Sequence, residues 1–190
     1  MKFNQHRNLE GLHAPFSPSQ SHWLRYDDEK AVQVYLNKKA AERGTRLHAW
    51  CKETIDLGIK QPRSDKTLYR YVNDAIGYKM NTEVVLFYSP RIFGTTDTIC
   101  FRKQSNGRQL LRIHDLKTGK SPVDMEQLEI YAALFCLEYV INPRDIDFEL
   151  RIYQNDEIIY HEPTADDIEP IMDHIVHLDK LIEDMENKEV

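Results

Sequence analysis

The hydrophobic period of the chain changes at Thr82, and this change constrains the fold more than any other feature. Before it, Leu68, Tyr71, Val72, Ala75 and Ile76 recur at helical spacing, which predicts a helix from Ser64, as cap, through Lys79. From Thr82 to Tyr88 the residues are β-branched and aromatic, the composition of a strand. Ser89-Pro90-Arg91 turns the chain into a second strand, Ile92–Phe101. Arg102–Arg108, which contains Asn106-Gly107, turns it into a third, Gln109–Leu116. An amphipathic helix is expected over Asp124–Val140, ending before Asn142-Pro143. A strand pair, Asp145–Tyr153 and Glu157–His161, follows. Thr164, with Asp167 three residues on, then caps a last helix reaching about Asn187. Its Ile168, Ile171, Met172, Ile175, Leu178, Ile182 and Met185 form one stripe. At the other end, Ser17-Pro18 introduces a short helix, Ser19–Tyr26. A helical stretch from Glu29 to Leu57 comes next, with a break expected at Gly44-Thr45 and an end at Gly58.

Helices, three strands, a helix, two strands and a helix predict an α/β fold. It is read as one domain over residues 1–190, with a mixed central sheet flanked by helices. Residues 1–80 would be its helical part, 81–141 three strands and a helix, and 142–190 a strand pair with an acidic helix. At 190 residues and 41% apolar composition the chain can build a core without staples. No apolar run approaches the about 18 residues of a membrane span, and the first 20 residues hold no apolar block, so neither membrane nor signal peptide is expected. Cys51, Cys100 and Cys136 match no disulfide framework and no CxxC knuckle. They read as buried thiols of a cytoplasmic protein.

The net charge is −6, but it is divided. Residues 1–120 carry 21 Lys+Arg against 12 Asp+Glu, whereas residues 121–190 carry 4 against 19. A polyanion responds to the local patch rather than the total, so the basic part keeps a nucleic-acid partner open.

Chemistry concentrates in Ile113-His114-Asp115-Leu116-Lys117-Thr118-Gly119-Lys120. Side chains of a strand alternate, so Asp115 and Lys117 share a face and Leu116 lies opposite. Asp97 is the one acid between Pro90 and Asn106. Carboxylates on adjacent strands can supply the oxygens a hard divalent cation requires. Taken alone, Asp115 and Lys117 read as a strand-end ion pair and Asp97 as a turn or edge acid.

Together with other segments they form a pattern. The serine-rich helix start Ser17-Pro18-Ser19 and the run Arg43-Gly44-Thr45-Arg46-Leu47-His48 are followed by Glu83 on the first strand. Then come Gly94-Thr95-Thr96-Asp97, Asp115 to Lys120, and Gln127-Leu128-Glu129-Ile130-Tyr131. This order resembles the RecB-like branch of the PD-(D/E)XK nuclease superfamily, in the manner of its CRISPR-associated exonucleases, over about Ser17 to Tyr131. The resemblance implies a restriction-endonuclease-like core and a metal-dependent deoxyribonuclease, with residues 81–141 as the catalytic strands and helix. It departs in one respect: three cysteines cannot hold a Cys₄ cluster, so no iron–sulfur cluster is expected.

The resemblance also implies roles. His48, Asp97, Asp115 and the backbone carbonyl of Leu116 would bind Mg²⁺ or Mn²⁺, the imidazole favouring Mn²⁺ somewhat. Lys117 would orient the attacking water or neutralise the transition state; to act as a base it would need its pKa lowered. Glu83 is an outer acid of the catalytic site, a metal ligand reached through water, or an exposed strand residue. Gln127 and Tyr131, on one helix face, would lie beside the site and touch DNA or supporting groups. Arg43, Arg46 and Lys120 would contact phosphates. The expected substrate is single- or double-stranded DNA and the expected activity that of an exonuclease. An endonuclease or flap nuclease of the same fold, or a non-cleaving recombination accessory protein, are the alternatives. Oligomeric state is left open.

Overall fold

A computed structural model describes residue 7, residues 14–119 and residues 121–188. The chain divides into two compact units, residues 1–46 and 47–190.

The first unit holds a 3-10 segment, Pro18–Arg25, and the start of α1 (Asp28–Asp56). Pro18 stands at the first position of the 3-10 segment, where its missing N–H costs nothing. Asp28 and Glu29 occupy the first turn of α1, where acids complement the helix dipole. The break expected at Gly44-Thr45 does not occur, and α1 is continuous through both residues. A helical glycine costs about 1 kcal/mol, which is not enough to end a long helix. The Thr45 hydroxyl donates to Ala41 O within the same helix at 3.2 Å. Gly58 ends the helix as expected, with φ +67° and its N–H donating to Ile55 O.

The second unit carries the sheet: β1 (Asn81–Ser89), β2 (Ile92–Lys103), β3 (Gln109–Leu116), β4 (Ile146–Gln154) and β5 (Glu157–His161). They lie in sequence order across one sheet. All neighbours are antiparallel except β3 and β4, which are parallel. Parallel strands require a crossover, and α3 (Glu126–Glu138) supplies it. The fold is therefore α/β, a mixed five-stranded sheet flanked by helices. Asn155 and Asp156 adopt φ +50° and +63° in the β4–β5 turn, the backbone a tight hairpin needs.

Two buried clusters hold the unit together. One joins Leu86, Ile99, Leu111, Ile113, Phe148 and Leu150 of the sheet to α3 and to Ile168 and Ile175 of α4 (Ala165–Glu186). The other joins Cys51 and Ile55 at the end of α1, and Tyr71, Val72 and Ala75 of α2 (Thr67–Gly77), to Cys100, Leu116 and Tyr153. Full burial of a Leu or Ile side chain is worth about 1.5–3 kcal/mol.

Three local expectations change. Helix α2 starts at Thr67; Ser64 instead accepts the N–H of Lys66 in a local turn. Helix α3 is not amphipathic: Ala132 to Cys136 are buried in succession, because the helix has the sheet on one side and α4 on another. The stripe of α4 packs only in its first half, where Ile168 and Ile175 are buried, while Leu178 and Met185 are exposed. The capping box of Thr164 and Asp167 is present. The three cysteines are free and buried. Among the described residues no helix is long and apolar enough to cross a membrane.

Candidate active site

The second unit brings together His48, Asp97, Asp115, Lys117 and Gln127. The β2–β3 ladder runs to the pair Thr98–His114, so Asp97 and Asp115 come next on the two strands, at the end where β3 stops. The Asp97 carboxylate bridges three elements. Its Oδ2 accepts the backbone N–H of Leu116 at 2.9 Å, and its Oδ1 lies 3.3 Å from Nδ1 of His48 on α1. Lys117 extends from the strand end on the same side as Asp115. Its ammonium donates to Asp115 Oδ1 at 3.2 Å and to Gln127 Oε1, on α3, at 2.6 Å. The alternation of a strand thus places Lys117 with Asp115, while the Leu116 side chain turns into the second core cluster.

The electrostatics follow from this crowding. Asp115 is 6% exposed. Burial first, and then the negative charge of Asp97, raise its carboxyl above the ordinary range, against the opposing pull of Lys117. The hydrogen bond to Asp97 raises His48, and burial offsets part of that rise. Asp115 Oδ2 is buried and makes no hydrogen bond, and the Lys117 ammonium lies 3.0 Å from it as an ion-pair partner.

These donors suit a hard divalent cation: two carboxylates, an imidazole, and a buried carboxylate oxygen with spare acceptor capacity. As the side chains stand, no three His, Cys, Asp or Glu among the described residues converge to enclose a metal ion. Asp97 is engaged by His48 and Leu116, and Asp115 by Lys117. Leu116 enters through its backbone N–H, a contribution the sequence does not suggest.

The remaining residues fall variously. Tyr131 reaches from α3 to β2, its hydroxyl donating to Thr95 O at 2.7 Å. Glu83 is exposed on β1, between the pairs Thr82–Thr98 and Val84–Thr96 and so opposite Asp97, with a left-handed φ of +48°. Arg43 and Arg46 are exposed residues of the first unit. Lys120 lies outside the described residues. Several other cations are already committed: Arg91 to Asp179 and Glu186, Arg108 to Asp147, and Arg144 to Asp166 and Glu169.

Beside the site runs a buried polar network that sequence reasoning missed. Tyr153 donates to Asp74 at 2.6 Å and stands 3.4 Å from His114 Nδ1. Glu149 pairs with Arg112 and Arg151, each at 2.9 Å, and both guanidiniums stack on Tyr78. These partners come from α2, β3 and β4, and no local motif signals them. An open cavity of about 520 Å³ lies at the opposite end of β3, lined by Gln104, Arg108, Arg112, Asp147 and Glu149 among others, away from the carboxylates.

No protein-family model matches the chain, and no curated protein is detectably similar to it. Among solved structures, one described as the crystal structure of SSO0001 is similar over 83% of this chain and 68% of that one, with 13% identity and a TM-score of 0.37.

Proposed function

We propose that the protein is a metal-dependent deoxyribonuclease of the RecB-like PD-(D/E)XK kind, acting as an exonuclease in the cytoplasm. One observation carries the reading. Residues of separate motifs gather at one strand end: His48 contacts Asp97, whose carboxylate accepts the Leu116 N–H, and Lys117 contacts Asp115 and Gln127. The buried free thiols of Cys51, Cys100 and Cys136 agree with a reducing compartment.

Asp97 and Asp115, with His48, are the residues that would hold Mg²⁺ or Mn²⁺. Once held there, such a cation would supply an acidified water and offset charge on the phosphoryl oxygens. The protein supplies the rest. His48 and the Leu116 N–H fix the Asp97 carboxylate, so its orientation is set before substrate arrives. Gln127 holds the Lys117 ammonium beside Asp115, where it can donate to a phosphoryl oxygen or orient the attacking water. Burial of Asp115 removes competing solvent and strengthens each of these interactions.

The test is digestion of linear and circular DNA, single- and double-stranded, in Mg²⁺, Mn²⁺ or EDTA. Cleavage of linear but not circular substrate, abolished by EDTA, is expected. Cutting of circles would mark an endonuclease instead. Absence of cleavage on every substrate would overturn the reading.

A further inference from the structure

The loop that follows Lys117 is held from one neighbouring strand. Gln154, the last residue of β4, is buried, and its amide nitrogen donates to Gly119 O at 2.7 Å and to Ser121 O at 2.9 Å. A carboxamide nitrogen carries two hydrogens, so both are committed to carbonyls of this single loop. The residue before it adds a third hold. The carbonyl of Tyr153 accepts the backbone N–H of Lys117 at 2.9 Å, one step beyond the last β3–β4 pair, Leu116–Tyr153. Tyr153 is itself immobilised. Its ring is fully buried against Tyr71 and His114, and its hydroxyl is tied to Asp74 of α2.

Apart from the Lys117 ammonium, which bonds to Asp115 and Gln127, the described residues of the gripped segment lie in an open loop. Lys117, Thr118 and Gly119 belong to no helix or strand, and Thr118 and Gly119 are exposed. Three hydrogen bonds from two consecutive residues of β4 therefore set the course of the chain as it leaves β3.

We infer that Gln154 is a positioning residue for the candidate active site: its amide fixes the loop from which Lys117 is presented to Asp115 and Gln127. The predicted effect on cleavage rests on the nuclease reading; the grip on the loop does not. Replacing Gln154 by Met keeps the volume and removes both donors. Replacing it by Glu keeps the shape but sets a carboxylate against two carbonyl oxygens.

The experiment uses the full-length chain and two readouts. The first is amide hydrogen exchange at Lys117, without metal or DNA. Exchange at least about tenfold faster is expected in both Gln154→Met and Gln154→Glu, with Leu111 to Ile113 in the middle of β3 unchanged. Unaltered exchange at Lys117 in Gln154→Met would overturn the inference. The second readout is steady-state cleavage of a DNA that the wild type cuts. A kcat lower by about tenfold or more, with KM within about threefold, is expected for a group that acts through geometry. A lowered melting temperature with wild-type kcat per folded molecule would mark a structural role only and also overturn it. If the wild type cuts no DNA, the nuclease reading fails, and the exchange measurement alone decides the role of Gln154.

Discussion

A β-carbon placed on Gly94 would lie 2.8 Å from Cε1 of Tyr131, closer than side-chain carbons come to one another. The glycine of the second strand and the tyrosine of α3 are thus two halves of one contact, completed by the bond from the Tyr131 hydroxyl to Thr95 O. Gly94→Ala should cost about 1–3 kcal/mol by forcing the ring or the helix away. Tyr131→Leu clears the space, so the cost of Gly94→Ala should shrink in that background. Urea unfolding of the two single variants and the double variant measures the coupling, expected to exceed about 0.5 kcal/mol. Strictly additive costs would argue against the contact.

At the strand end, charge and donor should separate by mutation. EDTA should abolish cleavage and Mg²⁺ or Mn²⁺ restore it, with Ca²⁺ supporting binding but little cutting. Asp115→Asn and Lys117→Ala should each lower kcat by about 10²-fold or more, the scale of a lost transition-state group. Titration calorimetry with Mn²⁺ should show weakened metal binding for Asp115→Asn alone. Near-wild-type turnover in Lys117→Ala would reduce the pair to a strand-end salt bridge.

Glu83 carries backbone strain in the middle of a strand, with φ +48° opposite Asp97. Left-handed conformation costs a side-chain-bearing residue about 1–2 kcal/mol, and glycine adopts it freely. Glu83→Gly should therefore unfold at equal or higher urea concentration than the wild type while cleaving more slowly. A large loss of stability would show that the Glu83 side chain supports the fold instead.

The polar network beneath the site should make stability depend on pH in a defined direction. Burial alone would raise the Glu149 carboxyl. His114, Arg112 and Arg151 outweigh burial and hold it down at about 2, from 4.5. A depressed carboxyl stabilises the fold fully above its unfolded value, and the contribution fades as pH falls from about 4.5 towards about 2. Urea midpoints should drop across that window in the wild type, and less in Glu149→Gln, which starts from a lower stability at neutral pH. Parallel profiles for the two proteins would assign the acid sensitivity to other groups.

Binding to DNA should track the basic part of the chain. Affinity is expected to fall steeply with salt, and charge reversal at Arg43 and Arg46 to weaken it more than any two changes beyond residue 160. Fluorescence anisotropy in Ca²⁺ at several salt concentrations measures both; a flat salt dependence would contradict the expectation.

Much of the fold could be read from the chain because its signals are local. The bounds of β3 fall at Gln109 and Leu116 as its pattern dictates, and Thr164 with Asp167 marks the start of α4. Alternation alone puts Lys117 on the side of Asp115. What could not be read depends on packing. The burial of α3 on two sides needs α4 in place, and the uninterrupted course of α1 through Gly44 shows how weak a single helix breaker is. Within the site, the Leu116 N–H on Asp97 and the Gln154 clamp involve backbone groups. Any residue type supplies those, so composition is silent about them.

The crossover helix gives this arrangement a temporal order. Gln127 meets the Lys117 ammonium, and Tyr131 meets Thr95, only when α3 lies across the sheet. The parallel pairing of β3 with β4 in turn has to bring together strands on either side of that helix. Such non-local pairing forms late, after local hairpins and helices. A chain with its secondary structure formed but α3 undocked would lack the bond from the Lys117 ammonium to Gln127 and keep only Asp115 as that group's partner. The contacts that bring Gln127 and Tyr131 to the strand end are therefore among the last that folding completes.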